Sequence, residues 1–276
     1  MIPELPSSLV VDEDRVDLWW IDPREIRDPE ALERLAAWLS ADEVARRGRF
    51  VFERHRHDFL IARALVRGVL ARYTGIEPAG LRFSAGPHGR PALAPGCAGA
   101  AAGLRFNLSH TEGRAVLAVA CDEIGVDVEA SARKGEPAKI AERFFAPAEV
   151  AALRGLVDEA AQRERFFAYW TLKEAYIKGV GVGVGLGLDN FWFDLGRADP
   201  TDVSAAPAGA DGWSTIAATG DQIRFAPGFA DDPSAWFFTK MSLGSGFPGA
   251  IAARRPGRAA PTVRARAAAL GRRGLG

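Results

Sequence analysis

The stretch that most limits what this chain can become is a helix-forming run over 160–178, followed by glycine at every second position to 187. Residues 160–169 combine good helix formers with paired aromatics. The pattern predicts one helix over about 160–178 that stops at Gly179, since glycine reaches the left-handed conformation that ends helices. Phe166, Trp170, Glu174 and Lys178 then share one stripe, two aromatics for a core followed by a carboxylate and an ammonium. Taken alone, Glu174 and Lys178 form an i,i+4 ion pair on a solvated face, worth about 0.3–0.5 kcal/mol. Gly179, Gly181, Gly183, Gly185 and Gly187 have the spacing of a dinucleotide fingerprint without its setting, because there a strand precedes the glycines and a helix follows them. Here a helix comes first, and the glycines read as a mobile loop closing near its end.

Along the rest of the chain, 16–21 reads as a first strand and Pro29 opens a short helix to about 39. Ser40 with Glu43 is a capping box for another helix, through Arg46 and Arg47. A long amphipathic helix covers 53–73. Phe59, Ala62, Val66, Val69, Leu70 and Tyr73 lie on one side, with Arg56, Arg63, Arg67 and Arg72 elsewhere and mostly solvated. A strand at 81–84, a tight turn at 85–91 and a variable loop at 94–103 lead to a strand ending in Asn107, Leu108, Ser109 and His110. Residues 115–120 and 124–129 read as a hairpin. Alternation in the second strand puts Ile124, Val126 and Val128 on one face and Gly125, Asp127 and Glu129 on the other. Asp127 and Glu129 are then ~7 Å apart, a repulsive arrangement unless a cation or water intervenes. An acidic solvent edge and a metal site explain that strand equally well. Pro147 and Glu149 open a further helix, and strands are expected at 191–195, 215–218, 222–225 and 235–243, with 249–253 ending the folded part.

Lys+Arg and Asp+Glu are both 35, which argues against a body built to coat nucleic acid or an acidic membrane. Seven arginines and no acid fall in 254–276, which reads as a disordered basic tail. No apolar run reaches the ~18 residues of a membrane span, and the acidic N-terminus lacks a signal pattern, so a cytoplasmic protein is expected. Cys97 and Cys121 have no metal-ligand spacing and are expected to be reduced thiols.

The charged groups share one chemical demand. Asp127 and Glu129 on a strand with Glu174 on a helix offer three hard oxygen ligands, which suits Mg²⁺ better than zinc. Lys178 adds a point charge for a phosphate, and Ser109, His110, Arg90 and Arg46 are candidates for further phosphate contacts. With the motifs G-R-P at 89–91, F-N-L-S-H at 106–110, G-V-D-V-E at 125–129, R-F-F-A-P-A-E at 143–149 and W-T-L-K-E-A-Y-I-K at 170–178, the chain resembles the 4′-phosphopantetheinyl transferases of the larger, surfactin-synthetase-activating type. R-F-V-F at 49–52 and the glycine run agree, and the match spans about 15–250.

The resemblance implies an α+β monomer of two similar halves about a pseudo-twofold axis, 1–112 and 113–253, with coenzyme A in the cleft between them. It implies that Asp127, Glu129 and Glu174 bind Mg²⁺ on the coenzyme A pyrophosphate and that Lys178 contacts the phosphate chain. Arg46, Arg90, Ser109 and His110 would hold the 3′-phosphate end, and Glu149 matches a glutamate near the metal region. Arg46 and Arg90 stand where some members have lysine. The implied reaction is that of a holo-[acyl-carrier-protein] synthase: a serine of an acyl or peptidyl carrier protein attacks the β-phosphate and releases 3′,5′-ADP, with Asp127, Glu174 and Lys178 as the catalytic groups and Glu174 or a water taking the serine proton. A Mg²⁺-dependent nuclease or phosphodiesterase, and a non-catalytic coenzyme A-binding adaptor, are the alternatives.

Overall fold

Two helices of 22 residues, each ended by a left-handed glycine, flank two facing sheets. The structure is a computed structural model that describes residues 9–270 other than 87, 98–100, 102 and 134, with the side chains of 183 and 184 left aside. The first part runs β1 (Arg15–Ile21), α1 (Pro29–Ala36), α2 (Ala41–Gly48), α3 (Glu53–Thr74), β2 (Phe83–Ala85), β3 (Pro91–Leu93), β4 (Arg105–Thr111) and β5 (Arg114–Ala120). The second runs β6 (Glu123–Val128), α4 (Pro137–Phe144), α5 (Pro147–Arg154), α6 (Glu159–Val180), β7 (Phe191–Asp194), β8 (Thr201–Asp202), β9 (Ser214–Ile216), β10 (Gln222–Phe225), β11 (Trp236–Ser242), β12 (Pro248–Arg254) and β13 (Thr262–Ala267).

One sheet has the order β4-β5-β1-β13-β9 and another β6-β12-β11-β8, while β7 pairs with β10 and β2 with β3. Val16, Leu18, Val116 and Ala118 from the first sheet meet Ile124, Val126, Val128 and Ile251 from the second in a shared core. On the outer face of the first sheet, Trp19, Ile21 and Leu117 pack against Leu65, Val69 and Tyr73 of α3. On the outer face of the second, Ala250, Ala252 and Phe238 pack against Leu172, Ala175 and Tyr176 of α6. The layers are thus helix, sheet, sheet, helix, and period-two alternation in the central strands supplies apolar groups to both sides.

Four expectations are corrected. The hairpin over 115–129 does not form: β5 pairs with β4 and β1, and β6 with β12. The turn at 121–122 carries the chain from one sheet to the other, so the split at 112/113 separates β5 from its own sheet partners. The long helix α6 stops at Gly181, with φ 79°, rather than at Gly179. A Cβ on Gly179 would come within 2.9 Å of Trp236, so that glycine serves packing. Arg67 and Arg72 of α3 are buried, not solvated. Arg67 donates to Glu43 at 2.8 Å and to the carbonyls of Pro78 and Leu81, which makes the capping-box glutamate of α2 a tether between helices.

The fourth correction concerns the basic tail, whose described part is folded. The strand β13 lies parallel to β1 from Arg15↔Thr262 to Trp20↔Ala267. Arg255 and Arg258 pair with Asp14 and Asp122, and Arg264 with Asp17. The arginines match acidic groups at the start of β1 and in the turn between β5 and β6, a pairing that composition alone does not reveal. Deleting 256–276 is therefore expected to lower stability by roughly 3–6 kcal/mol from Val263 and Leu270 burial alone. Thermal unfolding checks this, and an unchanged melting temperature would refute it.

Candidate active site

The site is built where α6 lies against β6. At Gly125 the two backbones touch so closely that a Cβ would fall 1.9 Å from the Ala175 carbonyl oxygen and 2.4 Å from the Gly179 nitrogen. Two residues on, Asp127 turns to the same helix, and Lys178 Nζ stands 2.6 Å from its Oδ1. Trp170 Nε1 donates to Glu129 Oε1 at 3.2 Å. The helix stripe 178, 174, 170 thus runs along the strand face 127, 129, and Glu174 falls between the two contacts. Burial pushes the Glu174 carboxyl above its ordinary range, and the charges of Asp127 and Glu129 push it further against the pull of Lys178. Glu129 is raised as well, by burial first and Asp127 second. Three carboxylates at close quarters strain one another's ionisation, the condition a bound cation relieves.

Asp127 carries the tightest constraints. Its Oδ1 accepts from Lys178 and, at 2.9 Å, from the Ser109 hydroxyl, while its buried Oδ2 has no hydrogen-bond partner among the described residues. Ser109 Oγ accepts from Lys178 at 3.0 Å and from the Val128 N–H at 3.3 Å, and Asn107 Oδ1 accepts from the Val126 N–H at 3.0 Å. These two side chains of β4 thereby stitch it to the edge of β6 in place of a backbone ladder. Asn107 was not singled out in the sequence, although its spacing of two from Ser109 is the available signal. Glu129 Oε2 accepts from Arg133 at 3.2 Å, and the Glu174 carboxylate has no hydrogen bond to a described residue.

Among the described residues, no group of three or more His, Cys, Asp or Glu side chains is already arranged to hold a metal ion. The donors nevertheless suit a hard divalent cation. They are all carboxylate oxygens, one of them is buried without a partner, and two belong to glutamates whose ionised form is disfavoured.

His110 follows Ser109 on β4 and turns the other way, towards α3. Its surroundings and then the Lys178 ammonium pull the imidazole below its ordinary value, with Asp58 opposing and Arg46 adding to the depression. The ring remains exposed, and water moderates the effect. Asp58, half-buried on α3 and raised by burial, is a neighbour the sequence reading missed, because nothing in a helix pattern shows which residue meets a distant strand. Arg46 is exposed, with its guanidinium over the Phe59 ring at 5.7 Å.

Two residues stand apart from this group. Arg90 is spent on the fold, donating to the Gly179 carbonyl and the Ile124 carbonyl at 2.7 Å each and to Glu123 at 3.2 Å. Glu149 is 1% exposed and bonded to Lys173, at 2.8 Å, rather than to any member of the acidic group. Among the described residues, no helix is long and apolar enough to cross a membrane.

Both halves of the chain are similar to known proteins. A family model described as "4′-phosphopantetheinyl transferase, N-terminal" matches residues 27–122, and one described as the "4′-phosphopantetheinyl transferase superfamily" matches 123–219. The chain is 38% identical over 239 residues to 4′-phosphopantetheinyl transferase HetI of Nostoc sp., covering 84% of this chain and 96% of that protein. It is 31% identical over 162 residues to 4′-phosphopantetheinyl transferase Sfp of Bacillus subtilis, covering 59% and 69%. Against the human L-aminoadipate-semialdehyde dehydrogenase-phosphopantetheinyl transferase it is 31% identical over 172 residues, covering 58% and 56%. With both halves matched in order and one relative aligned over nearly its whole length, the chain belongs to the 4′-phosphopantetheinyl transferase superfamily.

Proposed function

We infer that this protein transfers the 4′-phosphopantetheine group of coenzyme A to a serine of a carrier protein, acting as a cytoplasmic monomer. The observation that carries the reading is the Lys178–Asp127 contact of 2.6 Å with a buried, unpartnered Asp127 Oδ2 beside it and Glu174 bracketed between Asp127 and Glu129. The acceptor is an acyl or peptidyl carrier protein, and the activity is of the holo-[acyl-carrier-protein] synthase kind. The two 22-residue helices, ending at Gly75 and Gly181, support the two-halves, pseudo-twofold reading of the fold.

In the transfer, the serine oxygen bonds to the β-phosphorus of coenzyme A, the bridging P–O bond breaks, and 3′,5′-ADP leaves with that electron pair. Mg²⁺, held by Asp127, Glu129 and Glu174, would neutralise charge on the pyrophosphate. Lys178 orients the phosphate chain as a point charge at the helix end. Glu174, with its raised carboxyl and no donor of its own among the described residues, is suited to take the serine proton. Ser109 supports Asp127 and Lys178 more than it contacts phosphate, and Arg90 supports the junction of β6 with α6.

Arg46 and His110 are left to receive the 3′-phosphate. Because His110 is depressed and neutral in the free protein at pH 7, while a phosphate beside it favours the imidazolium, coenzyme A binding takes up a proton there. The KM for coenzyme A is expected to rise with pH from a point below the ordinary histidine value of about 6.5, and His110→Ala to raise KM and flatten that rise. A KM indifferent to His110→Ala would remove the residue from the site. The function is tested by mass spectrometry of acyl and peptidyl carrier proteins incubated with the protein, coenzyme A and Mg²⁺. A phosphopantetheine adduct on the serine is expected, and unmodified carriers throughout would refute it.

A further inference from the structure

We infer that Lys173, together with Glu149, is a positioning residue for this reaction: the buried pair replaces a missing neighbour of β7 and fixes the exit of the glycine run to the helix that carries Glu174 and Lys178. The inference rests on the transfer reading above for its effect on activity, but the clamp itself is visible in the geometry. The strand β7 is bonded along one edge to β10, in register Phe191↔Phe225 and Phe193↔Ile223, and Asn190 O accepts from the Ala226 N–H at 2.9 Å. Residues alternate in direction along a strand, so 190, 192 and 194 address β10 while the backbone groups of Phe191 and Phe193 face away from it. Among the described residues no strand pairs on that side.

The pair fills the vacant edge. Lys173 Nζ donates to the Phe191 carbonyl at 2.6 Å and to the Leu188 carbonyl at 2.7 Å, and Glu149 Oε1 accepts from the Phe193 N–H at 3.1 Å. Glu149 Oε2 takes the third ammonium proton, at 2.8 Å, and also the Ala146 N–H that opens α5, at 3.2 Å. Every proton on the ammonium is used, and both side chains are closed to solvent, at 0% and 1% exposure. A donor followed by an acceptor along one strand edge is what a neighbouring strand would supply, and buried backbone groups require it.

A buried ion pair is weak evidence of a stability device, because apolar groups of similar volume often serve as well. What apolar groups cannot do is hold Leu188 O, Phe191 O and Phe193 N at defined points. Those atoms mark the exit of the segment that leaves α6 at Gly181, and Arg90 grips the last turn of the helix before it through Gly179 O. Lys173 also directly precedes Glu174, about 100° round the helix. Pinning it there fixes the rotation that sets Glu174 between Asp127 and Glu129.

The test compares Lys173→Met, Lys173→Arg and the wild type by amide hydrogen exchange, and by kcat and KM for coenzyme A. Lys173→Met is expected to speed exchange over 188–193 at least tenfold, and to lower kcat at least tenfold with less than threefold change in KM, because Arg46 and His110 lie on other elements. Lys173→Arg, which keeps a buried donor, should recover part of both losses. Should Lys173→Met not fold, Glu149→Gln is measured in the same way. Unchanged exchange overturns the clamp, and faster exchange with wild-type kcat overturns its role in positioning. A wild type that modifies no carrier protein refutes the transferase reading instead, while exchange still decides the clamp.

Discussion

Asp127→Ala is expected to lower kcat/KM roughly 100- to 1000-fold, the range seen when one preorganised electrostatic group is lost from a phosphoryl or acyl transfer site. The same change should leave the protein folded, with a melting temperature equal to or above the wild type. Asp127 is a buried carboxylate with one orphaned oxygen, and it repels Glu129 and Glu174. Its partner Lys178 keeps a side-chain exposure of 28%, so water can hydrate the freed ammonium. Thermal unfolding beside a mass-spectrometric transfer assay checks both halves, and a folded variant with wild-type turnover would remove Asp127 from the chemistry. The acidic group also fixes a pH effect. Glu129 and Glu174 are raised in the folded state, so folding takes up protons, and their contribution to stability falls as pH rises from the ordinary glutamate value through the raised ones. A divalent cation bound there should raise the melting temperature more at pH 8 than at pH 5.

Gly125→Ala is expected to destabilise the protein by about 3 kcal/mol or more, the upper end of what overpacking costs. The new Cβ would sit 1.9 Å from a helix carbonyl oxygen and 2.4 Å from a helix nitrogen, and backbone cannot swing aside as a side chain does. Any relaxation has to lift α6 from β6, which separates Lys178 from Asp127 and Trp170 from Glu129. Activity should fall even in the fraction that stays folded. Gly179→Ala meets only the Trp236 ring and should cost less, and Gly185→Ala, with nothing within 4 Å of its Cβ position, is the neutral control. Chemical denaturation of the three variants tests the order, and a stable, active Gly125→Ala protein would show that the helix is not seated as described.

The sequence by itself determined the local pieces on which the site is carried. Alternation in 124–129 put Asp127 and Glu129 on one face with Gly125, and helical spacing put Trp170, Glu174 and Lys178 on one stripe, because both depend only on how side chains project from a regular backbone. The strands at 191–194, 222–225 and 236–242 were legible for the same reason. What only the tertiary structure decided is which faces meet. The basic residues after 254 look like solvated filler until they lie beside Asp14, Asp17 and Asp122, and Arg67 looks like a surface residue until Glu43 closes over it. Arg90 and Glu149 carry expectations of a phosphate and of the metal region in the sequence, and the structure sets Arg90 against the Gly179 and Ile124 carbonyls and exposed Glu123, and Glu149 against buried Lys173. Charge and hydrogen-bonding capacity are written in each residue, but their use depends on the nearest complementary group, and in a folded chain that group lies as far as 247 positions away, as Arg264 does from Asp17.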